Sequence, residues 1–93
     1  MRKLDISGIS EKFIDGLDAK QYRQIVRKIF SLANNPTPQD SIKMQGKDVR
    51  RADQGEFRII YNFDEATIYI IGVGKRNDDE VYIRLCGSKS KSN

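Results

Sequence analysis

Two adjacent runs, Phe57–Phe63 and Thr67–Val73, constrain this chain more than any other feature. In the first, Phe57, Ile59, Tyr61 and Phe63 recur with period two, the spacing that puts alternate side chains on one face of a strand. Arg58, Ile60 and Asn62 then take the opposite face. The second run is almost continuously apolar, as a central strand covered on both sides must be. The polar segment Asp64-Glu65-Ala66 between them is a turn, so the two strands are antiparallel neighbours. Upstream, Val49–Asp53 reads as a shorter, basic strand joined to Phe57–Phe63 by a turn at Gln54-Gly55.

The first half has a different period. Leu4 and Ile6 alternate with Lys3 and Asp5, which predicts a short first strand over Arg2–Ile6. Ser10 can cap a brief helix with Ile9, Phe13 and Leu17 on one face, ended by Gly16. Asp18 with Gln21 is a variant of the capping box. The helix that follows carries Tyr22, Ile25, Val26, Ile29 and Ala33 on one stripe, with Lys20, Arg23, Arg27 and Lys28 largely off it. Asn34-Asn35-Pro36 stops it. Thr37–Lys47 reads as a loop with one helical turn around Ile42 and Met44. Val81–Leu85 is a fourth short element, strand or helix. The order β-α-α-β-β-β predicts an α+β layer, a helical hairpin packed on one face of an antiparallel sheet.

Ninety-three residues suffice for one modest core. Residues 1–86 are expected to form that single domain, and the Gly/Ser/Lys-rich residues 87–93 a disordered tail. No apolar run approaches the roughly 18–20 residues of a membrane span. The charged start Met1-Arg2-Lys3 has no apolar segment behind it and is not a secretory signal. A lone Cys86 forms no internal disulfide and no metal-ligand pattern, which points to a reducing, cytoplasmic compartment. The chain has no histidine, so imidazole acid–base chemistry, a Ser-His-Asp triad and His-ligated zinc are excluded. No cofactor or metal is expected.

Lysine and arginine number 17 against 13 acidic residues, a net charge of +4, which alone says little about partners. Their placement says more. Arg58 lies in mid-strand between apolar residues, where Val, Ile or Thr is usual. With Arg51 on the neighbouring strand and Lys75-Arg76 at the end of the next, it forms a concave positive patch. Such like charges repel unless an anion fills the space between them. Planar guanidinium groups suit phosphate, because they donate a fork of hydrogen bonds to its oxygens. Arg50, Arg51 and Lys47 can equally be solvated charges that protect a sheet edge from aggregation.

Five motifs in register, over about two-thirds of the chain, resemble the RelE/ParE superfamily of bacterial toxin–antitoxin toxins. They are Gln24-Ile25 with Lys28–Leu32, Asn35-Pro36, Lys43-Met44-Gln45-Gly46, Gly55–Tyr61, and Val73-Gly74-Lys75-Arg76 with Tyr82 six residues on. The resemblance implies a RelE-like fold, in which the sheet under the helical hairpin is curved. In the RelE branch it implies a toxin that cleaves messenger RNA in the ribosomal A site and is neutralised by a cognate antitoxin.

By position, the resemblance makes Arg58, Arg76, Tyr82 and Arg51 the catalytic candidates. Lys43, Lys47, Arg50 and Lys75 become candidate RNA contacts. Val49 and Asp53 depart from the family pattern, since relatives carry basic residues at these second-strand positions. Arg58 and Arg76 are expected to converge on one phosphate. Tyr82 is either a stacking platform for a base or a general base with its pKa lowered by neighbouring cations. Lys43, Lys47 or Lys75 could lose a proton if crowded by cations, and Asp40 is a remote acid–base candidate. Arginine stays protonated, so Arg51 is a poor base. Without histidine, cleavage should be weak on free RNA and depend on the ribosome for alignment. Two alternatives remain: a ParE-like inhibitor of DNA gyrase without nuclease chemistry, and an inactive relative that only binds an antitoxin.

Overall fold

The computed structural model describes residues 1–44, 46 and 48–76. Lys47, Tyr82, the expected element at Val81–Leu85 and the expected tail lie outside them. The long amphipathic stripe forms helix α2, Ala19–Asn34, with Asp18 at its N-cap accepting a hydrogen bond from the Gln21 amide at 2.8 Å. That bond satisfies one of the amides that a helix start leaves unpaired. Ile25, Ile29, Leu32 and Ala33 are buried, whereas Tyr22 stays exposed.

Helix α1, Gly8–Asp15, starts earlier than expected. Ser7 rather than Ser10 caps it, and Ser10 is buried within its first turn. The buried face therefore shifts by one residue from the expected stripe. Ile14 is buried, Phe13 and Leu17 pack against the core, and Ile9 points to solvent at 54% exposure.

Five strands follow the order β1-β5-β4-β3-β2 across one sheet: β1 Lys3–Ile6, β2 Ser41–Lys43, β3 Arg50–Gln54, β4 Phe57–Phe63 and β5 Thr67–Lys75. Strands β3 to β5 form the expected antiparallel meander, and β2 extends it. The sheet as a whole is mixed rather than antiparallel, because β1 pairs parallel with β5, Leu4 opposite Ile68. The helical hairpin carries the chain from β1 at one edge to β2 at the other, and the meander then returns β5 to lie parallel beside β1. Residues 41–43, expected in a loop with a helical turn, instead add the edge strand β2, with Ile42 opposite Arg51.

One face of the sheet meets the helices. Ala52, Phe57, Ile59, Tyr61, Ile68, Ile70 and Val73 join Ile14, Ile25, Ile29, Leu32 and Ala33 in the core. Each fully buried Ile or Leu contributes roughly 1.5–3 kcal/mol by leaving water. Ile71 has no partner in β4, since Ile60 pairs with Gly72 and Tyr61 with Ile70. This β-bulge resets the alternation, so that Ile70 and Val73, three residues apart, both enter the core. The Ser7 hydroxyl lies 2.9 Å from the Ile71 carbonyl oxygen, so the cap of α1 also engages the bulge. The buried Tyr61 hydroxyl donates to the Pro36 carbonyl at 2.6 Å and ties the exit of α2 to mid-sheet. No described helix is long and apolar enough to cross a membrane.

Candidate functional site

The β3–β4 hairpin decides what lies opposite Arg58. Gln54 pairs with Phe57, leaving Gly55 and Glu56 as a two-residue loop, one position later than the turn expected at Gln54-Gly55. Gly55 has φ +60, the conformation that the first loop position of a type II′ turn needs and that favours glycine. This register places Asp53 opposite Arg58 and Arg51 opposite Ile60. In β5, Gly74 and Gly72 complete those two rows and present no side chain. Cross-strand partners share a face, so Arg51, Asp53, Arg58 and Ile60 lie on the side away from the helices.

Arg58 and Arg76, expected to meet at a phosphate, both lie against a carboxylate of the protein itself. Arg58 Nε donates to Asp53 Oδ1 at 3.0 Å, and Arg76 Nε lies 3.8 Å from Asp53 Oδ2. The backbone holds Arg76 in place independently: its amide donates to the Glu56 carbonyl at 2.8 Å and its Nη1 to the Gly55 carbonyl at 3.2 Å. One carboxylate lies between the guanidinium groups of Arg58 and Arg76, with Arg51 on the same face one row along, so this face is basic yet partly neutralised. The expected patch of unopposed positive charge is corrected accordingly. The side chains are partly solvated, 25% exposed for Arg58, 39% for Asp53 and 54% for Arg76, which suits ions that must meet a ligand.

The remaining candidates fall elsewhere. Arg50 pairs with Tyr61 and so alternates to the other face, where its Nη2 donates to Ser41 Oγ at 2.8 Å and fastens β2 to β3. Lys43 pairs with Arg50, and the two line a separate cleft with Asp48, Val49, Asn62 and Phe63. Lys75 is exposed and pairs with the core residue Phe57, again out of step with Arg58. Tyr82 and Lys47 lie outside the described residues. Asp40 is engaged by Lys28 of α2 at 2.7 Å, and this hydrogen bond holds its carboxyl below the ordinary range. A carboxylate so held is a weak proton acceptor. Among the described residues no cluster of His, Cys, Asp and Glu could hold a metal.

Asp53 entered the sequence reading only as a departure from the family pattern. A loop at Gln54-Gly55 would put Arg51 opposite Arg58; the loop Gly55-Glu56 pairs Gln54 with Phe57 and Asp53 with Arg58 instead. An acidic residue opposite a mid-strand arginine is the usual sign of a cross-strand ion pair.

Comparisons with known proteins agree with this architecture. The archaeal RelE in its complex with RelB from Pyrococcus horikoshii is 27% identical, with a TM-score of 0.71 over 82% of this chain and 96% of that one. A double arginine-to-alanine variant of the E. coli toxin RelE in the free state aligns with a TM-score of 0.76, 20% identity and coverage of 94% and 96%. The isolated E. coli RelE toxin gives 0.71 at 23% identity, covering 99% of this chain and 98% of its own. The two E. coli structures are similar in fold. No curated protein sequence matches. The family model for the ParE toxin of the parDE type II toxin–antitoxin system matches residues 7–80. With a helical hairpin on a five-stranded sheet and a family match over most of its length, the chain belongs to the ParE toxin family of type II toxin–antitoxin systems, within the RelE/ParE superfamily.

Proposed function

We propose that this toxin is a ribosome-dependent endoribonuclease that cuts messenger RNA and thereby inhibits translation. The observation that supports this reading is the convergence of Arg58, in β4, and Arg76, just past the end of β5, on a single anionic group. Cleaving RNA through its own 2′-hydroxyl requires three things: removing that proton, stabilising a pentavalent phosphorane and protonating the departing 5′ oxygen. Two guanidinium groups aimed at one point suit the second task, where each well-placed donor is worth ~3 kcal/mol. Arg51, on the same face, adds charge for the flanking phosphates. Tyr82 is the proposed stacking or proton-transfer group. With no histidine to serve as a base, the ribosome's alignment of the substrate supplies a large part of the rate.

The relative from Pyrococcus horikoshii was solved as a RelE–RelB complex. By analogy, a cognate antitoxin silences this chain, using a segment that folds on binding and brings acidic and apolar side chains. One observation favours a second reading. Asp53 occupies the convergence point, and a ParE-like inhibitor of DNA gyrase needs a shaped surface rather than an open phosphate site. Primer extension on messenger RNA after induction separates the two. Cuts within codons held in the A site support the nuclease, whereas intact messages together with DNA-damage signalling support the gyrase inhibitor.

A further inference from the structure

Asp53 sits between Arg58 and Arg76 as a phosphate would, giving one oxygen to each guanidinium. We infer that Asp53 is an internal competitor for the phosphate position of this site. In that role it denies the arginine pair to free RNA and yields it to a strand that is already held in place. The inference rests on the proposed reading of the site as an RNA phosphate site, and it adds a residue that sets substrate discrimination.

Two observations and one general property of binding carry it. The backbone carries both arginines to the site without the carboxylate, since Arg58 is set in the β3–β4 ladder and Arg76 is bonded to the carbonyls of Gly55 and Glu56; Asp53 only orients the Arg58 guanidinium. Removing the carboxylate therefore opens the site without dismantling it. The pairing is displaceable, because Asp53 is 39% exposed and partly solvated ion pairs contribute little to stability. A short side chain at the end of β3 can rotate toward solvent with no change in backbone. Finally, a ligand whose site is only partly open binds more weakly in proportion to the open fraction. A free strand bears that loss in full, whereas a strand positioned by another body arrives at high effective concentration.

The test is binding of the full chain to a short single-stranded RNA carrying 2′-O-methyl groups, which keeps the phosphates and blocks cleavage. Removing one charge at contact distance should tighten binding of the Asp53→Asn variant by about fivefold or more. Its dependence on salt should steepen by up to ~0.7 in logarithmic slope, one further phosphate contact to a single strand. Glu65→Gln has the same net charge, but its change lies in the β4–β5 turn at the opposite end of the strands, and it should bind like the wild type. The gain should vanish in the Asp53→Asn, Arg58→Ala double variant. If Asp53→Asn binds no tighter than Glu65→Gln, or if its gain survives the loss of Arg58, the inference is wrong. Cleavage plays no part in this measurement. An Arg58-dependent gain with intact messenger RNA in cells would sink the nuclease reading and leave the competitor standing.

Discussion

Replacing Arg58 by alanine separates the function of the site from the stability of its scaffold. The side chain is 25% exposed and makes one ion pair, to an Asp53 that is itself 39% exposed. Solvent screening limits such a pair to roughly 0–1 kcal/mol. Asp53 is not stranded by the change, since Arg76 remains 3.8 Å away. A loss of about 1 kcal/mol lowers Tm by roughly 4–8 °C in a domain of this size, well short of unfolding. The catalytic loss should be far larger. A donor aimed at developing phosphorane charge is worth ~3 kcal/mol, or about 100-fold in rate. Arg58→Lys should fall between, because it keeps the charge and loses the planar fork. Graded induction in cells reads growth arrest, primer extension reads the cuts, and a thermal melt reads the fold. A folded Arg58→Ala variant that arrests growth as fast as the wild type would refute the assignment.

Three further substitutions probe the frame around the site. Tyr61→Phe removes the buried hydrogen bond to Pro36 and should cost about 1–3 kcal/mol by denaturant titration, with no direct effect on the arginines. Gly55→Ala puts a side chain at φ +60 and should cost about 1–3 kcal/mol. Because the turn's carbonyls hold Arg76, it should also lower activity more than Tyr61→Phe does; equal activities would show that the turn does not position Arg76. Asp64 accepts hydrogen bonds from the amides of Ala66 and Thr67 and from the Tyr69 hydroxyl, which hold its carboxyl below the ordinary 3.8. A depressed pKa means that its contribution is fully present above 3.8 and is lost as pH falls through the folded value. The stability advantage of wild type over Asp64→Ala should therefore hold at neutral pH and shrink in acid, and a difference independent of pH would contradict this linkage.

Local periodicity was enough to determine α2, β4 and most of β5, because each buries one strongly patterned face whatever it packs against. The same alternation put Arg58 on the face away from the helices, where the structure has it. The family motifs pointed to the RelE-like fold as well, and to Arg58 and Arg76 as a pair. Tertiary structure decided what depends on partners distant in sequence. The edge strand β2 is only three residues long and has no pattern of its own; it exists because β3 offers it a ladder and Arg50 clasps Ser41. Strand β1 could not announce a parallel partner sixty residues away. The bulge at Ile71 broke the period that a run of apolar residues would otherwise suggest. Nearness in sequence misled at Lys75 and Arg50, each adjacent to a site arginine, since one step along a strand reverses the face. Charge counting along the chain treated the arginines as a patch awaiting an anion. Only the register of the β3–β4 hairpin brought Asp53 between them, because an ion pair is a property of two strands and belongs to neither alone.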